Sequence, residues 1–91
     1  MKPIEAGKYL DESLTELLSK NTTLKDAALI GEETNISSSL ILKVKNGTSK
    51  VTELNKKAID KLILIAYENV EANEREAKRN KKSLKTIIDF I

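Results

Sequence analysis

The chain has 91 residues, of which 40% are hydrophobic, and its formal net charge is +2 at pH 7. This length supports one domain with a single modest core. The absence of Cys and His excludes a disulfide framework, a thiolate metal site and the side chain that serves most often as metal ligand or general base. We therefore expect no metal, no cofactor and no enzyme activity.

The distribution of apolar and aromatic residues excludes further classes of protein. No apolar run approaches the roughly 18 residues that a membrane span needs, and the N-terminus lacks the apolar core of a signal peptide. Aromatic residues make up only 3% of the chain, which argues against stacking on single-stranded nucleic acid. The composition predicts a cytoplasmic protein with no membrane partner.

Two amphipathic helices are predicted in the first part of the chain. The first has apolar residues at helical spacing, namely Leu10, Leu14, Leu17 and Leu18. The polar run 21–23 ends it. Thr23 or Asp26 can cap a second helix, which we predict to end at Thr34 or Asn35. Its apolar residues are Leu24, Ala28 and Ile30.

The residues that follow predict a tight turn between this helix and the next. Gly31 lies where two crossing helices approach most closely, and a side chain larger than that of Ala would force them apart. Asn35 can close the second helix in a left-handed conformation. Ser37 is a natural N-cap for the helix that follows. One short segment thus ends one helix and starts another.

A third helix is predicted from about Ser38 to Lys45, ended by Asn46-Gly47, and a fourth begins at Thr52. The segment 62–67 of the fourth helix is apolar on every side. Such a helix is covered on every side. One face of this segment can pack against the domain core, and its remaining apolar faces need a second partner.

The C-terminal third becomes polar after residue 70 and apolar again near its end. Residues 71–82 are almost wholly polar, which predicts a solvated helix supported by i,i+4 ion pairs. Ser83 can cap a last short helix, although a strand over 86–91 remains open because short apolar runs do not distinguish the two. We divide the chain into a domain over 1–70 and a polar helical segment with an apolar C-terminal helix over 71–91.

The positive charge is concentrated in the middle of the chain. Residues 1–35 carry four Lys and seven acids, residues 36–61 carry six Lys and two acids, and residues 62–91 carry six basic and five acidic residues. The excess of positive charge therefore lies on the third helix and the segment after it, where it could neutralise the phosphates of a nucleic acid.

The segment from Ile30 to Gly47 resembles a known DNA-binding unit. The residues that carry the resemblance are Ile30-Gly31-x-x-x-Asn35-Ile36-Ser37, followed by Ile41, Val44 and Asn46-Gly47. This pattern is similar to that of the phage-repressor-like (Xre/Cro) helix-turn-helix family, which reads Leu-Ala-x-x-x-Gly-Ile-Ser and closes in Asn-Gly. The correspondence runs without a gap from Leu29 to roughly Leu62, with Asn35 replacing the usual Gly and Gly31 the usual Ala. Residues 44–52 are also similar to the headpiece of the LacI family.

The resemblance implies an all-α, lambda-repressor-like domain of four to five helices with a C-terminal helical extension. It also implies sequence-specific binding of double-stranded DNA by a small dimeric transcriptional repressor of a phage, plasmid or other mobile element. The alternative is a protein-interaction module of the antitoxin or anti-repressor type. That module would use the helix-turn-helix structurally and the apolar C-terminal segment to bind a protein partner.

In this family, the exposed side of the third helix near its start reads base edges. The base-contacting residues are then Ser38, Ser39, Leu42 and Lys43. The residues placed to meet phosphates are Ser37, Lys45, Asn46, Thr48, Ser49, Lys50 and Thr52. The simpler interpretation is that the serines only cap the helix and the lysines form an ordinary solvated face. Either Leu40 or Leu42 belongs to the core, and the pattern leaves open which of them faces out.

A homodimer is expected because the surplus apolar residues would otherwise form an exposed patch. The residues assigned to the dimer interface are Ile63, Tyr67, Leu84, Ile87, Ile88, Phe90 and Ile91. Two recognition helices about 34 Å apart would read a palindrome across successive major grooves. The alternative is that the tail folds back onto the first and fourth helices to complete the core.

Overall fold

The computed structural model describes residues 4–91 and contains helices only. They are α1 (Glu12–Asn21), α2 (Leu24–Thr34), α3 (Ser38–Lys45) and α4 (Lys56–Ile88). The prediction of an all-α protein is confirmed. The strand considered over 86–91 is wrong, because α4 extends to Ile88 and a turn follows it.

Side chains cap the first two helices and fix where they begin. The Asp11 carboxylate accepts from the backbone N–H of Leu14 at 2.8 Å at the start of α1. At the start of α2, the Thr23 hydroxyl accepts from the Asp26 N–H at 3.3 Å, and the Asp26 carboxylate accepts from the Thr23 N–H at 2.8 Å. This is a capping box, so both residues that the sequence offered as caps act together.

The turn between α2 and α3 has the geometry that its residues predict. Asn35 adopts the left-handed conformation, with φ 59° and ψ 24°. Ser37 is the N-cap of α3, where its hydroxyl accepts from the backbone N–H of Leu40 at 3.1 Å. A Cβ atom on Gly31 would lie 2.8 Å from the carbonyl oxygen of Ile36. The predicted close approach is therefore confirmed, but the space is smaller than expected and excludes even Ala.

The end of α3 is also closed as predicted, by Asn46-Gly47. Gly47 has a positive φ of 79°, and its N–H donates to the Val44 carbonyl at 3.1 Å. The N–H of Thr48 donates to the Lys43 carbonyl at 2.9 Å. Together these two bonds form a Schellman motif, in which glycine supplies the left-handed residue.

The core lies where α1, α2 and α3 pack on the first half of α4. Its buried apolar residues are Leu10, Leu14, Leu18, Ala27, Ile30, Ile41, Val44, Val51, Ala58, Ile59, Leu62 and Ala66. The apolar face predicted for α2, with Leu24, Ala28 and Ile30, was partly wrong. Leu24 is 70% exposed and Ala28 is exposed, whereas Ala27 is buried with Ile30. The smaller Ala27 lies three residues before Ile30, on the same side of the helix.

The polypeptide makes one additional turn between Thr52 and the start of α4. The Thr52 hydroxyl accepts from the Asn55 N–H at 3.2 Å, and the Asn55 side-chain oxygen accepts from the Thr52 N–H at 2.8 Å. The regular helix begins at Lys56, a few residues after the predicted start. Thr52 thus caps a turn that leads into α4.

α4 is one continuous helix of 33 residues, about 50 Å long at 1.5 Å per residue. It accounts for the elongated shape, whose extents are 57 × 27 × 16 Å. The separate last helix capped by Ser83 is therefore wrong, because Ser83 lies inside α4.

The last part of α4 extends away from the core. Every residue in 67–91 is exposed, so the alternative in which the tail folds back to complete the core is wrong. Among the residues predicted to form a dimer interface, Ile63 is half-buried against the core, and the other six are exposed. Within residues 4–91, none of the helices combines the length and apolar character that a membrane span needs.

Candidate nucleic-acid interface

The first turn of α3 presents the serines to solvent. Ser37, Ser38 and Ser39 are all exposed. The Ser37 hydroxyl accepts the N-cap hydrogen bond, which leaves its proton available for donation. Lys43, one turn beyond Ser39 and on the same side of the helix, is exposed as well. The structure therefore brings Ser39 and Lys43 together on one outward face.

The two leucines of α3 share the boundary between this face and the core. Leu40 and Leu42 are both half-buried and pack against core residues. The sequence left open which of them faces out, and in the structure neither is fully buried or fully exposed. Leu42 offers only part of its side chain to a ligand of the outward face.

Lys45, which the sequence assigned to phosphate contact, does not belong to the exposed set. It is 7% exposed, because α3 turns the side that carries Ile41, Val44 and Lys45 toward the rest of the domain. Lys45 follows Ile41 by four residues, so the two side chains lie on the same face of the helix. The charge count along the chain cannot detect this rotation.

The loop after α3 is held by one carbonyl group. The Lys43 carbonyl accepts from the N–H groups of Thr48 and Ser49 at 2.9 and 3.2 Å, and from the Thr48 hydroxyl at 3.0 Å. Because its hydroxyl proton is used in this bond, Thr48 closes the loop and has no proton left for a phosphate. Asn46 is exposed and Ser49 is half-buried, so each remains at least partly accessible to a ligand.

Lys50 lies beside the aromatic ring of Tyr9. Its Nζ atom is 5.7 Å from the centre of the Tyr9 ring, within the range of a cation–π contact. The N-terminal segment is anchored there, since Gly7 N–H donates to the Val51 carbonyl at 2.7 Å and Val51 N–H donates to the Lys8 carbonyl at 2.9 Å. No local sequence signal joins Tyr9 to Lys50, because the contact depends on the fold.

Asn55 organises the same loop from the inside. It is 1% exposed, and its side-chain NH₂ group donates to the Lys50 carbonyl at 3.2 Å while its oxygen accepts from Thr52. A buried amide with its groups bonded in this way fixes the positions of both partners. Sequence reasoning missed Asn55, whose only local signal is its spacing of three residues from Thr52.

We expect Asn55→Ala to destabilise the fold by about 1–3 kcal/mol, because it leaves part-buried backbone groups at Lys50 and Thr52 without their partners. Thermal unfolding followed by circular dichroism measures the loss. Lys25→Ala, at an exposed position of α2, is the control and should change the melting temperature little. Equal melting temperatures for the two variants would contradict the role given to Asn55.

Not all of the basic residues in 36–61 are available to a ligand. Lys56 pairs with Asp60 at 3.4 Å, and Lys61 pairs with Glu33 at 3.2 Å. Among residues 4–91, no carboxylate lies within 4.0 Å of the ammonium groups of the remaining exposed lysines, which are Lys43, Lys50 and Lys57. These three cations and the exposed serines are the groups that remain available to a nucleic-acid ligand.

Comparison with known proteins adds no further constraint on this site. No protein-family model matches the chain, and neither characterised proteins nor solved structures gave a significant match.

Proposed function

We propose that this protein is a cytoplasmic, sequence-specific transcriptional regulator that binds double-stranded DNA through α3, as a small dimeric repressor. The observation that carries the proposal is the outward face of α3, where Ser39 and Lys43 stand together after the tight Asn35 turn. The repressor-like pattern from Ile30 to Gly47 gives the same assignment.

α3 has eight residues, and because a helix with its side chains is about 10–12 Å in diameter, it fits a major groove about 12 Å wide. Lys43 can donate to the O6 and N7 acceptors of guanine, whereas Ser38 and Ser39 can bond to either type of base pair. The exposed part of Leu42 can contact a thymine methyl group. Serines discriminate weakly, so Lys43 contributes most of the direct base readout.

A second group of residues positions the protein on the backbone without reading sequence. It consists of Ser37, Asn46, Ser49, Lys50, Thr52 and Lys57. The Thr52 hydroxyl accepts from Asn55 and keeps its proton for a phosphate oxygen. Asn55, by holding Lys50 and Thr52, sets the geometry of two of these contacts.

The direct test is retention of duplex DNA by the full chain. A pool of random duplexes is selected through several rounds, and the affinity of the enriched duplex is then measured by fluorescence anisotropy at increasing salt. We expect an enriched palindromic sequence, with log K falling linearly with log salt by about 0.9 per phosphate contact. No retention even at low salt would overturn the proposal.

A second candidate function is a protein-interaction module of the antitoxin or anti-repressor type. The observation that favours it is the exposed apolar end of α4, including Leu84, Ile87 and Ile88. Under this alternative the α2–α3 unit is structural, and charge reversal on α3 would leave all measurable binding unchanged.

A further inference from the structure

An apolar seam runs along α4 from the core to its C-terminal end. Ile63, Val70, Ala77 and Leu84 follow one another at intervals of seven residues. Ala66 and Ile87 lie three residues after the first and the last of them. Alternating steps of three and four residues are the spacing by which one helix packs along another. From Val70 onward the seam is exposed.

The seam begins in a groove between α1 and α4. This groove has a volume of about 310 Å³, and Leu14, Leu17, Ile63, Tyr67 and Val70 are among its lining residues. Its walls are tied together because the Asn69 side chain donates to the Asn21 carbonyl, at the end of α1, at 2.8 Å. The groove is thus a fixed apolar site at one end of the seam, and the apolar tail forms the other end.

The charges that flank the seam divide into two halves of opposite sign. Residues 68–76 contain four Glu and one Arg, whereas residues 77–85 contain five basic residues and no acid. All of these side chains are exposed. A parallel pair of such helices would place acid beside acid and base beside base. An antiparallel pair places the acidic half of each helix against the basic half of the other.

We propose that the occupant of the groove is the apolar tail of a second copy of this chain, and that the two α4 helices pair in antiparallel orientation about a centre near Ala77. The chain's own tail cannot fill its own groove, because α4 is one continuous helix and Leu84 lies about 21 Å along it from Val70. In the antiparallel pair, Leu84 and Ile87 of each copy lie against the groove of the other. The interface is isologous and closes on itself with both grooves filled.

Two polar residues on the seam set the register of this pair. Asn73 and Asn80 occupy seam positions on either side of Ala77. A polar residue at such a position lowers stability but selects one alignment over those that would bury it against apolar side chains. The inference starts from the homodimer of the proposed function, but it depends only on α1 and α4 and is tested without DNA.

The chain contains no Cys, so single spin labels can be attached to Arg75→Cys and Asp89→Cys of the full protein. Both residues are exposed and lie off the seam. Each is seven residues from Lys82, so the two labels lie on the same face of α4. In the antiparallel pair, the axial distance between equivalent labels grows by about 3 Å for each residue away from the centre. We expect a dimer by sedimentation, with Arg75 labels roughly 20 Å apart and Asp89 labels roughly 40 Å apart.

Other results of this measurement would overturn the inference in distinguishable ways. A parallel pair would give both labels nearly the same separation of roughly 20 Å, about two helix diameters, and would leave the homodimer of the proposed function intact. A monomer at the highest attainable protein concentration would remove the homodimer itself. Neither outcome would bear on whether α3 retains DNA.

A variant pair tests the occupant of the groove. Ile87 is 60% exposed in the single chain, so Ile87→Glu should keep its helical content but raise the dimer dissociation constant at least about tenfold. Leu54→Glu is the matched control, because Leu54 is 84% exposed and lies outside the seam and the groove. Equal dimer dissociation constants for Ile87→Glu and the parent would overturn the tail as occupant.

Discussion

Replacing both Lys43 and Lys50 with Glu is expected to abolish the retention of duplex DNA in a gel-shift assay. Both ammonium groups are exposed, and no carboxylate of residues 4–91 lies within ion-pairing distance of them. Each lost phosphate contact lowers the slope of log K against log salt concentration by about 0.9. Each introduced Glu also adds repulsion from the phosphates. Helical content should stay unchanged, because neither side chain is in the core.

The single variants separate the two roles. Lys43→Glu should change the preference among duplex sequences, whereas Lys50→Glu should weaken binding about equally for all of them. Lys20→Glu makes the same change of charge at an exposed residue of α1 and is the control for each. If Lys20→Glu weakens binding as much as Lys50→Glu does, net charge alone explains the effect and the α3 face is not the site.

Some features of this fold could be predicted because their causes are local. The left-handed Asn35, the Ser37 cap and the Gly47 turn each depend on residues within a few positions along the chain. Side-chain capping and a tolerated positive φ are properties of residue type. The bounds of α3 follow directly from them.

Other features depend on how the helices are rotated and joined, which periodicity describes poorly. Lys43 and Lys45 are equal in a count of charge, yet one is exposed and the other is buried. The polar run 71–82 is predicted as a solvated helix, and Ser83 as the cap of a separate last helix. This run is rich in Glu, Lys, Arg and Ala, which are strong helix formers, and Lys78 pairs with Glu74 at 3.5 Å. α4 therefore continues through Ser83.

The loop contacts of the candidate site could not be predicted, because residues far apart in sequence form them. Tyr9 meets Lys50 only because the N-terminal segment bonds to Val51. Asn55 gave no hydrophobic signal, although it is among the most buried side chains. Distant contacts of this kind decide how precisely a surface is positioned, so the loop contacts of the candidate interface come from the structure alone.

The second large effect is expected at Gly31, where two contributions to stability have opposite signs. By helix propensity alone, Gly31→Ala should stabilise α2 by up to about 1 kcal/mol. The structure predicts the reverse, since the new methyl group would lie 2.8 Å from the Ile36 carbonyl oxygen and 3.4 Å from the Ser38 backbone nitrogen. Both are backbone atoms of the turn and of α3, which cannot rotate away as a flexible side chain can.

Forcing extra volume into such a contact costs about 1–3 kcal/mol, so we expect a net loss of stability. Each kcal/mol corresponds to a melting temperature lower by about 4–8 °C for a domain of this size. Glu32→Ala, at an exposed position of the same helix, is the control for the added alanine. Both variants should be compared at one protein concentration, because dimer formation raises the apparent melting temperature. A higher melting temperature for Gly31→Ala than for the parent would mean that helix propensity dominates and that α2 and the turn are not in close contact.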